Sequence, residues 1–294
     1  METNGCGEFL ASDMMKYVDN ARVLGLGETM RFMECCEGEK RMADKLELFA
    51  KKHIDGHAPG IRGKEVQAYR LAGVENDHEC STAEEVLDKL RAGLHIYVRE
   101  GSGAKNLETL IKTMLDAGVC LDRCAFCTDD KHVEEIRKEG HISTCIRKAI
   151  ALGVPVAKAY KMGSYQAAEF YGLKNYGAIG AGYRADIVFL DDLEQVRPLD
   201  VMKDGRILTE EDYAKDYSVP VPDELLHTVH VGEVTKEKIR LSCDGKTDVI
   251  QMNPHQIVTT HLVEEVPAEN GYFKSDGVYL SLIHISEPTR LALI

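Results

Sequence analysis

Short apolar runs alternate with longer amphipathic segments from the start of the chain to about residue 172. The runs have the length of buried strands, and the amphipathic segments repeat with the helical period. The pattern predicts strands at 22–28, 54–57, 74–78, 94–99 and 124–128 and helices at 9–20, 40–52, 63–72, 82–92, 104–117, 140–153 and 154–172. Thr82 and Glu85 have the spacing of a capping box at the start of one helix. Regular strand–helix alternation predicts a parallel sheet in an α/β fold.

The pattern of apolar and polar residues changes near residue 175, where we place a domain boundary. Glycines punctuate 177–182, short apolar runs follow, and Asp204-Gly205 has the sequence of a tight hairpin turn. The pattern predicts a small β domain over 176–220, a linker at Pro220-Val221-Pro222 and the start of a β-rich domain over 221–279. Residues 280–294 fit no element that connects to the rest.

Composition and charge exclude several partners. The 294 residues are 44% apolar, which is enough for a core, and the net charge of −13 argues against nucleic acid and against an anionic membrane surface. No run of about 18 apolar residues is present, and the first residues lack the pattern of a signal peptide. Nine cysteines without regular spacing indicate reduced thiols and a cytoplasmic protein.

Cys124 and Cys127 form one Cys-x-x-Cys pair. A zinc ribbon needs a second pair at a suitable distance, and the sequence has none. We therefore interpret these cysteines as buried apolar thiols.

Polar residues with ligand chemistry stand where the five predicted strands end. They are Glu28, His57, His78, Arg99-Glu100 and Asp129. The carboxyl ends of parallel strands meet at one edge of a sheet, and imidazoles with carboxylates suit a divalent metal. Each residue alone has a simpler explanation: a solvated acid for Glu28, a turn contact for His57, a surface ion pair for His78 and a helix cap at Asp129-Asp130. Together they favour a metal site.

Seven short motifs occur in the order of one known family. They are Gly-Leu-Gly-Glu-Thr-Met (25–30), Asp-Gly-His-Ala-Pro-Gly (55–60), Asp-His-Glu-Cys (77–80), Val-Arg-Glu-Gly-Ser (98–102), Cys-Thr-Asp-Asp (127–130), Gly-His-Ile (140–142) and Gly-Ala-Ile-Gly-Ala-Gly-Tyr-Arg-Ala-Asp (177–186). In this combination the chain resembles the bacterial adenine deaminase family of the metal-dependent amidohydrolase superfamily, over about residues 1–279.

The resemblance implies part of a (β/α)8 TIM-type barrel, followed by a small β-sandwich and a β-rich C-terminal segment. It implies two divalent metals per site in the complete protein, with Mn or Fe favoured and Zn compatible. By position, His57 and His78 correspond to the metal ligands of the fifth and sixth strands. Glu28 corresponds to the carboxylate of the fourth strand that bridges the metals, and Asp129 to the eighth-strand ligand and proton shuttle.

The reaction implied is hydrolysis of adenine to hypoxanthine and ammonia. Metal binding lowers the pKa of water from about 15.7 to about 7 and so provides the nucleophile. Asp129 would carry the proton to the leaving amine, and Glu79 is a candidate for protonating a ring nitrogen. Arg99, Glu100 and Ser102 are candidates for holding the base. The partner is then a small purine, and a homo-oligomer is compatible with the sequence.

Four other histidines receive no catalytic role. We interpret His53, His95 and His132 as structural, and His141 belongs to a family-like motif without an assigned function.

One family feature is missing. The His-x-His pair of the first barrel strand does not occur, and the nearest pair is His227 and His230. The sequence analysis therefore predicts a fragment that starts before the fourth barrel strand, with a non-native tail at 280–294 that resembles a translated adapter. Two alternatives stay open: another cyclic amidohydrolase or deaminase, and a catalytically silent binding module.

Overall fold

The computed structural model describes residues 8–215, 218–226, 232–233 and 235–280. His227, His230 and the tail from residue 281 onwards lie outside these residues. The chain divides into two compact units, which are described separately: Met1–Glu210 with Pro254–Ile257, and Glu211–Asn253 with Val258–Ile294.

Five parallel strands form the sheet of the first unit. They are β1 (Gly25–Thr29), β2 (His53–Gly56), β3 (Asn76–Asp77), β4 (His95–Arg99) and β5 (Cys124–Cys127). β1 pairs with β2, and β3, β4 and β5 pair in sequence order. The Glu75 N–H donates to the Ile54 carbonyl at 3.0 Å, so β2 and β3 are also neighbours. The predicted parallel strand order is therefore present, although β3 is shorter than predicted and β1 begins later.

The contact between β2 and β3 requires a glycine at position 56. The Gly56 N–H donates to the side-chain oxygen of Asn76 at 2.9 Å instead of to a backbone carbonyl. A Cβ at position 56 would lie 2.1 Å from the Asn76 carbonyl oxygen. Any side chain here would push the two strands apart.

Helices connect the strands and follow β5. They are α1 (Ala11–Val18), α2 (Phe32–Glu37), α3 (Lys40–Leu48), α4 (Gly63–Leu71), α5 (Ala83–Arg91), α6 (Leu107–Asp116), α7 (Val133–Glu139), α8 (Ile142–Ala151), α9 (Val156–Met162) and α10 (Tyr165–Phe170), with a 3₁₀ turn at Leu121–Arg123. The capping box of Thr82 and Glu85 is confirmed. α6 buries Leu107, Leu110, Ile111 and Met114, a helical stripe, against the sheet.

Two helix predictions were wrong. No helix was predicted at 32–37, where α2 lies. One helix was predicted over 154–172, where the chain breaks between α9 and α10. Gly163 lies against Ile146, whose Cδ1 would be 2.7 Å from a Cβ at this position, and Ser164 leaves the helical conformation. The break follows from this close packing.

Antiparallel strands β6 (Ile187–Leu190), β7 (Pro198–Lys203) and β8 (Arg206–Ile207) complete the first unit. The predicted turn joins β7 to β8, with Asp204 and Gly205 at φ 52° and 78°. Val196, between β6 and β7, belongs to the same core as α6, and the three strands lie within the first unit. The β-sandwich, the barrel and the domain boundaries stay predictions.

The second unit is β-rich in the part that the structure describes. β9 (Lys246–Met252) and β10 (Thr259–Glu265) form an antiparallel pair, as do β11 (Ala268–Glu269) and β12 (Tyr272–Phe273). Short helices are α11 (Glu210–Ala214), which begins at the division, α12 (Asp223–Leu226) and α13 (Lys236–Ile239). No helix in the described ranges combines the length and hydropathy of a membrane span.

Candidate metal centre

Glu28, His57 and His78 converge at the carboxyl edge of the parallel strands. Glu28 is the next-to-last residue of β1, and the two histidines directly follow β2 and β3. One ligand atom from each residue lies within 4.8 Å of the other two. The structure thus brings together three residues that the sequence analysis predicted as metal ligands.

The three side chains face one another at close range. His57 Nδ1 lies 3.0 Å from one carboxylate oxygen of Glu28, and His78 Nε2 lies 3.8 Å from the other. The imidazole rings meet edge to face with their centroids 5.4 Å apart. The histidine side chains are 13% and 12% exposed and that of Glu28 is 40% exposed, so the cluster opens to solvent at the carboxylate.

Tyr69 on α4 fixes the position of His57. Its hydroxyl accepts a hydrogen bond from the His57 N–H at 3.0 Å and donates one to the Thr29 carbonyl at 2.9 Å. Tyr69 is fully buried. The two bonds join the end of β1 to the first residue after β2, which places His57 beside Glu28.

Asp77 holds the segments that follow β2 and β3. One of its carboxylate oxygens accepts from the Ala58 N–H at 2.8 Å, and the other accepts from the Glu79 N–H at 3.0 Å. Lys89 on α5 donates to Asp77 at 2.9 Å and to the Ala58 carbonyl at 2.7 Å. Burial alone would raise the pKa of Asp77, but the Lys89 ammonium outweighs it and lowers that pKa. Both groups are therefore charged.

Glu79 lies beneath the two histidines, with a side chain only 1% exposed. Its Oε1 lies 3.1 Å from His78 Nε2 and 3.6 Å from His57 Nδ1, and it also accepts from the Arg99 guanidinium. Burial would lower the pKa of His78, but the hydrogen bond to Glu79 and the charge of Glu79 raise it. His78 is thus part of a buried network, and its interpretation as a surface ion pair is wrong.

Arg99 joins this network to the end of β5. Its Nη2 lies 2.6 Å from Asp129 and 3.1 Å from Asp130, and its side chain is 6% exposed. Asp129 has a φ of 46°, in the left-handed region. Asp130 accepts from the Gly103 N–H at 2.7 Å, while α7 starts only at Val133. The alternative in which Asp130 caps that helix is therefore wrong.

Glu100 and Ser102 do not reach this cluster. Glu100 pairs with Lys148 on α8 at 2.6 Å. The Ser102 hydroxyl donates to Glu135 at 2.6 Å and accepts from the His132 N–H at 2.9 Å. Their polar atoms are engaged with residues after β5, and the substrate-binding role of both residues stays a prediction.

A cavity of about 270 Å³ opens beside the cluster. Glu28, His78 and Asp129 line it. Six lining residues were not predicted as site residues: Asp55, Asn76, Tyr97, Phe126, Cys127 and Tyr171. Asp55 accepts from the Tyr171 hydroxyl at 2.9 Å. The Asp-Gly-His spacing offered a signal for Asp55, because residues two apart on a strand share a face. Tyr171, 116 residues further along, carried no such signal.

The remaining histidines have other partners. His53 pairs with Glu75 at 2.6 Å, and the ring of His95 packs against that of Phe170 in a tilted arrangement. His141 Nε2 lies 2.7 Å from the Thr128 hydroxyl, next to Asp129. His132 precedes α7.

The described cysteines are all free. Burial raises the pKa of Cys124 and Cys145 to about 12, which keeps these thiols protonated. Cys127 is half-buried at the edge of the cavity, and burial raises the pKa of its thiol also. The interpretation as apolar thiols suits these positions.

The donor set fits a divalent cation. Two imidazoles and a carboxylate are nitrogen and oxygen ligands that Mn, Fe and Zn accept. One oxygen of Glu79, Oε2, is buried without a hydrogen-bond partner in the described residues, although the other oxygen is tightly held. A buried carboxylate oxygen of this kind favours a cation or a donor nearby.

The chain matches the family model described as Amidohydrolase family over residues 38–208. It is 40% identical over 283 residues to the adenine deaminase of Desulfitobacterium hafniense, covering 96% of this chain and 49% of that protein. It is 39% identical over 283 residues to the adenine deaminase of Clostridium acetobutylicum, covering 95% and 49%. The chain thus spans about half the length of these curated relatives.

Among solved structures, the fold is similar to that of the β-aspartyl dipeptidase from Fervidobacterium islandicum AW-1. The TM-score is 0.51 at 17% identity, covering 70% of this chain and 63% of that one. At this identity the similarity concerns the fold alone.

Proposed function

Because this chain belongs to the amidohydrolase family, we propose that it acts in the hydrolytic deamination of adenine, which gives hypoxanthine and ammonia. The observation that carries the proposal is the convergence of Glu28, His57 and His78 beside the cavity that Asp129 also lines. The similarity to two proteins named adenine deaminase is the reason for proposing adenine as the substrate rather than another cyclic amidine. The five parallel strands would form part of a (β/α)8 barrel, with a β-sandwich beside it.

Glu28, His57 and His78 would hold the divalent cation, and Asp129 is the fourth ligand that the sequence predicts. A bound divalent cation lowers the pKa of water to about 7 and so supplies hydroxide near neutral pH. We propose two cations per site in the complete protein, with Mn or Fe favoured over Zn. Glu28 suits a shared position, because its two oxygens face different histidines.

Asp129 would carry a proton from the attacking water to the leaving amine. Its carboxylate lines the cavity, and the pairing with Arg99 holds it there in a left-handed backbone conformation. Such a conformation persists only where surrounding contacts determine it. Glu79 would donate a proton to a ring nitrogen of the substrate. Arg99 would position the carboxylates of Glu79 and Asp129.

The first test is turnover of adenine by the purified full-length protein loaded with Mn²⁺, followed by release of hypoxanthine and ammonia. Replacement of Asp129 by asparagine should lower kcat on the order of 10²–10⁴-fold, because proton transfer is lost. Metal content is measured on the same variant, because Asp129 is also predicted as a metal ligand. Asp116→Asn, at an exposed acid at the end of α6, is the matched control and should keep wild-type turnover.

Three outcomes would contradict the proposal. Wild-type kcat in Asp129→Asn would remove the proton-carrying role. Turnover of another cyclic amidine but not of adenine, in a panel of substrates, would favour another deaminase or amidohydrolase. A protein that holds no metal and turns nothing over would be a silent binding module. A homo-oligomer also stays a prediction, which light scattering would test.

A further inference from the structure

Lys89 is a fully buried lysine on a helix outside the metal cluster. Its side chain and that of its partner Asp77 have no exposed area. Lysine is almost never fully buried unless it is paired. The proposed reaction uses neither residue, so the pair needs another explanation.

The pair connects both histidine segments. Lys89 reaches the carbonyl of Ala58, the residue after His57, and the carboxylate of Asp77, the residue before His78. The same carboxylate accepts from the Ala58 N–H. A closed ring of hydrogen bonds therefore joins the backbone beside one imidazole to the backbone beside the other.

Glu85 extends the ring along the segment after β2. Its carboxylate lies 3.7 Å from the Lys89 ammonium and accepts from the Gly60 N–H. Both ends of residues 58–60 are thus held by side chains of α5. No bond of this ring passes through Glu28, His57 or His78 themselves.

We propose that Lys89 and Asp77 are positioning residues, which set the separation of His57 and His78 and thereby the affinity of the metal site. The inference rests on the proposed metal-dependent function. Apolar side chains of equal volume would fill the same space, but they would not fix the peptide groups of Ala58 and Glu79, because only hydrogen bonds impose that direction. Partners that orient metal ligands in this way typically contribute about 10–100-fold to metal affinity.

The test compares wild type, Asp77→Asn and the double variant Lys89→Met with Asp77→Asn. The double variant removes both charges of the pair, so neither partner is left as an unpaired buried ion, which is the main threat to folding. The buried Glu85 carboxylate loses Lys89 but keeps hydrogen bonds from the Gly60, Ser81 and Thr82 N–H groups. Asp77→Asn is the milder change, because Lys89 keeps Glu85 and the Ala58 carbonyl. Lys112→Met, at a half-exposed lysine of α6, is the matched control.

Two readouts separate positioning from stability. Metal affinity is measured by competition with a chelator, and ligand geometry by the visible absorption spectrum of the Co²⁺-loaded protein. Thermal unfolding is measured on the metal-free protein. In both variants we expect at least about a 10-fold weaker metal affinity and an altered Co²⁺ spectrum. The metal-free variants should still show a thermal unfolding transition, which means that they fold. Lys112→Met should change none of these.

The possible failures are distinguishable. If wild type binds no divalent metal, the proposed function fails. If wild type binds and both variants bind with the same affinity and spectrum, only the positioning role is overturned. If neither variant folds without metal, the pair is a folding element and the positioning role is again overturned.

Discussion

At the scale of single residues, His95 is a histidine whose surroundings oppose its charge. Its ring packs against that of Phe170, with the centroids 4.4 Å apart and the planes tilted by 48°. Burial, followed by the nearby Arg123, lowers the pKa of His95 to about 4. In the unfolded chain a histidine titrates near pH 6.5, so between these values the unfolded state binds the extra proton. Stability from this group is therefore complete above about pH 6.5 and falls as the pH drops towards 4.

Between pH 7 and pH 4.5, the free energy of unfolding should fall by roughly 1–3 kcal/mol less in His95→Gln than in wild type. Urea unfolding of the metal-free proteins at several pH values measures the difference. His132→Gln removes an exposed histidine and should follow the wild-type profile. Parallel profiles for wild type and His95→Gln would show that His95 charges freely in the folded protein.

The sequence predicted the residues of the metal cluster better than the residues that hold them. Glu28, His57 and His78 follow strands, and the ends of parallel strands meet by topology. Tyr69 and Lys89 lie inside ordinary helical patterns, and only packing shows that they contact the histidine segments. Glu100 carries a ligand-type side chain at a strand end but turns to Lys148, a choice that local pattern does not determine.

At the scale of elements, α5 illustrates a helix whose start is specified locally. The Glu85 N–H donates to the Thr82 hydroxyl, and the Glu85 carboxylate accepts in return from the Thr82 N–H at 3.0 Å. The same helix carries Lys89, so its position also determines the ring of hydrogen bonds around Asp77. The capping residue Thr82 therefore affects the position of the segments that carry His57 and His78.

Replacement of Thr82 by alanine should destabilise the protein by about 1 kcal/mol, because the first turn of α5 loses a side-chain acceptor. The midpoint of urea unfolding should fall while the denaturant slope stays constant. Thr82→Ser keeps the hydroxyl and should retain most of the stability. An alanine variant as stable as wild type would mean that the Glu85 carboxylate alone is sufficient to cap the helix.

Elements with strong local patterns could be predicted, whereas interruptions of a pattern could not. α6 shows one continuous apolar stripe; it was predicted over 104–117 and lies at Leu107–Asp116. The break at Gly163 depends on the neighbouring side chain of Ile146 on α8, which the segment 154–172 does not encode. β3 is short because the Asn76 side chain replaces a ladder bond to β2.

At the scale of the whole molecule, the metal cluster belongs to one compact unit only. Glu28, His57 and His78 lie in the first unit, and β9 and β10 lie in the second. A ligand that binds only the folded state stabilises what it binds, by about 2.7 kcal/mol at 100 times its Kd. The sequence indicated the order of strands and helices from local patterns, whereas the place of Pro254–Ile257 in the first unit depends on which distant segments pack together.

Binding of Mn²⁺ should therefore slow hydrogen exchange in the first unit and leave the second unchanged. We expect protection near the ends of β1, β2 and β3, where the ligands are held, and none in β9 or β10. Hydrogen-exchange mass spectrometry of the full-length protein, with Mn²⁺ and with chelator, measures both at once. His57→Asn should abolish the protection by Mn²⁺, since only two of the three ligands remain. Equal protection of both units would indicate that the metal acts through a contact other than the Glu28 cluster, and protection that persists in His57→Asn would place the cation elsewhere.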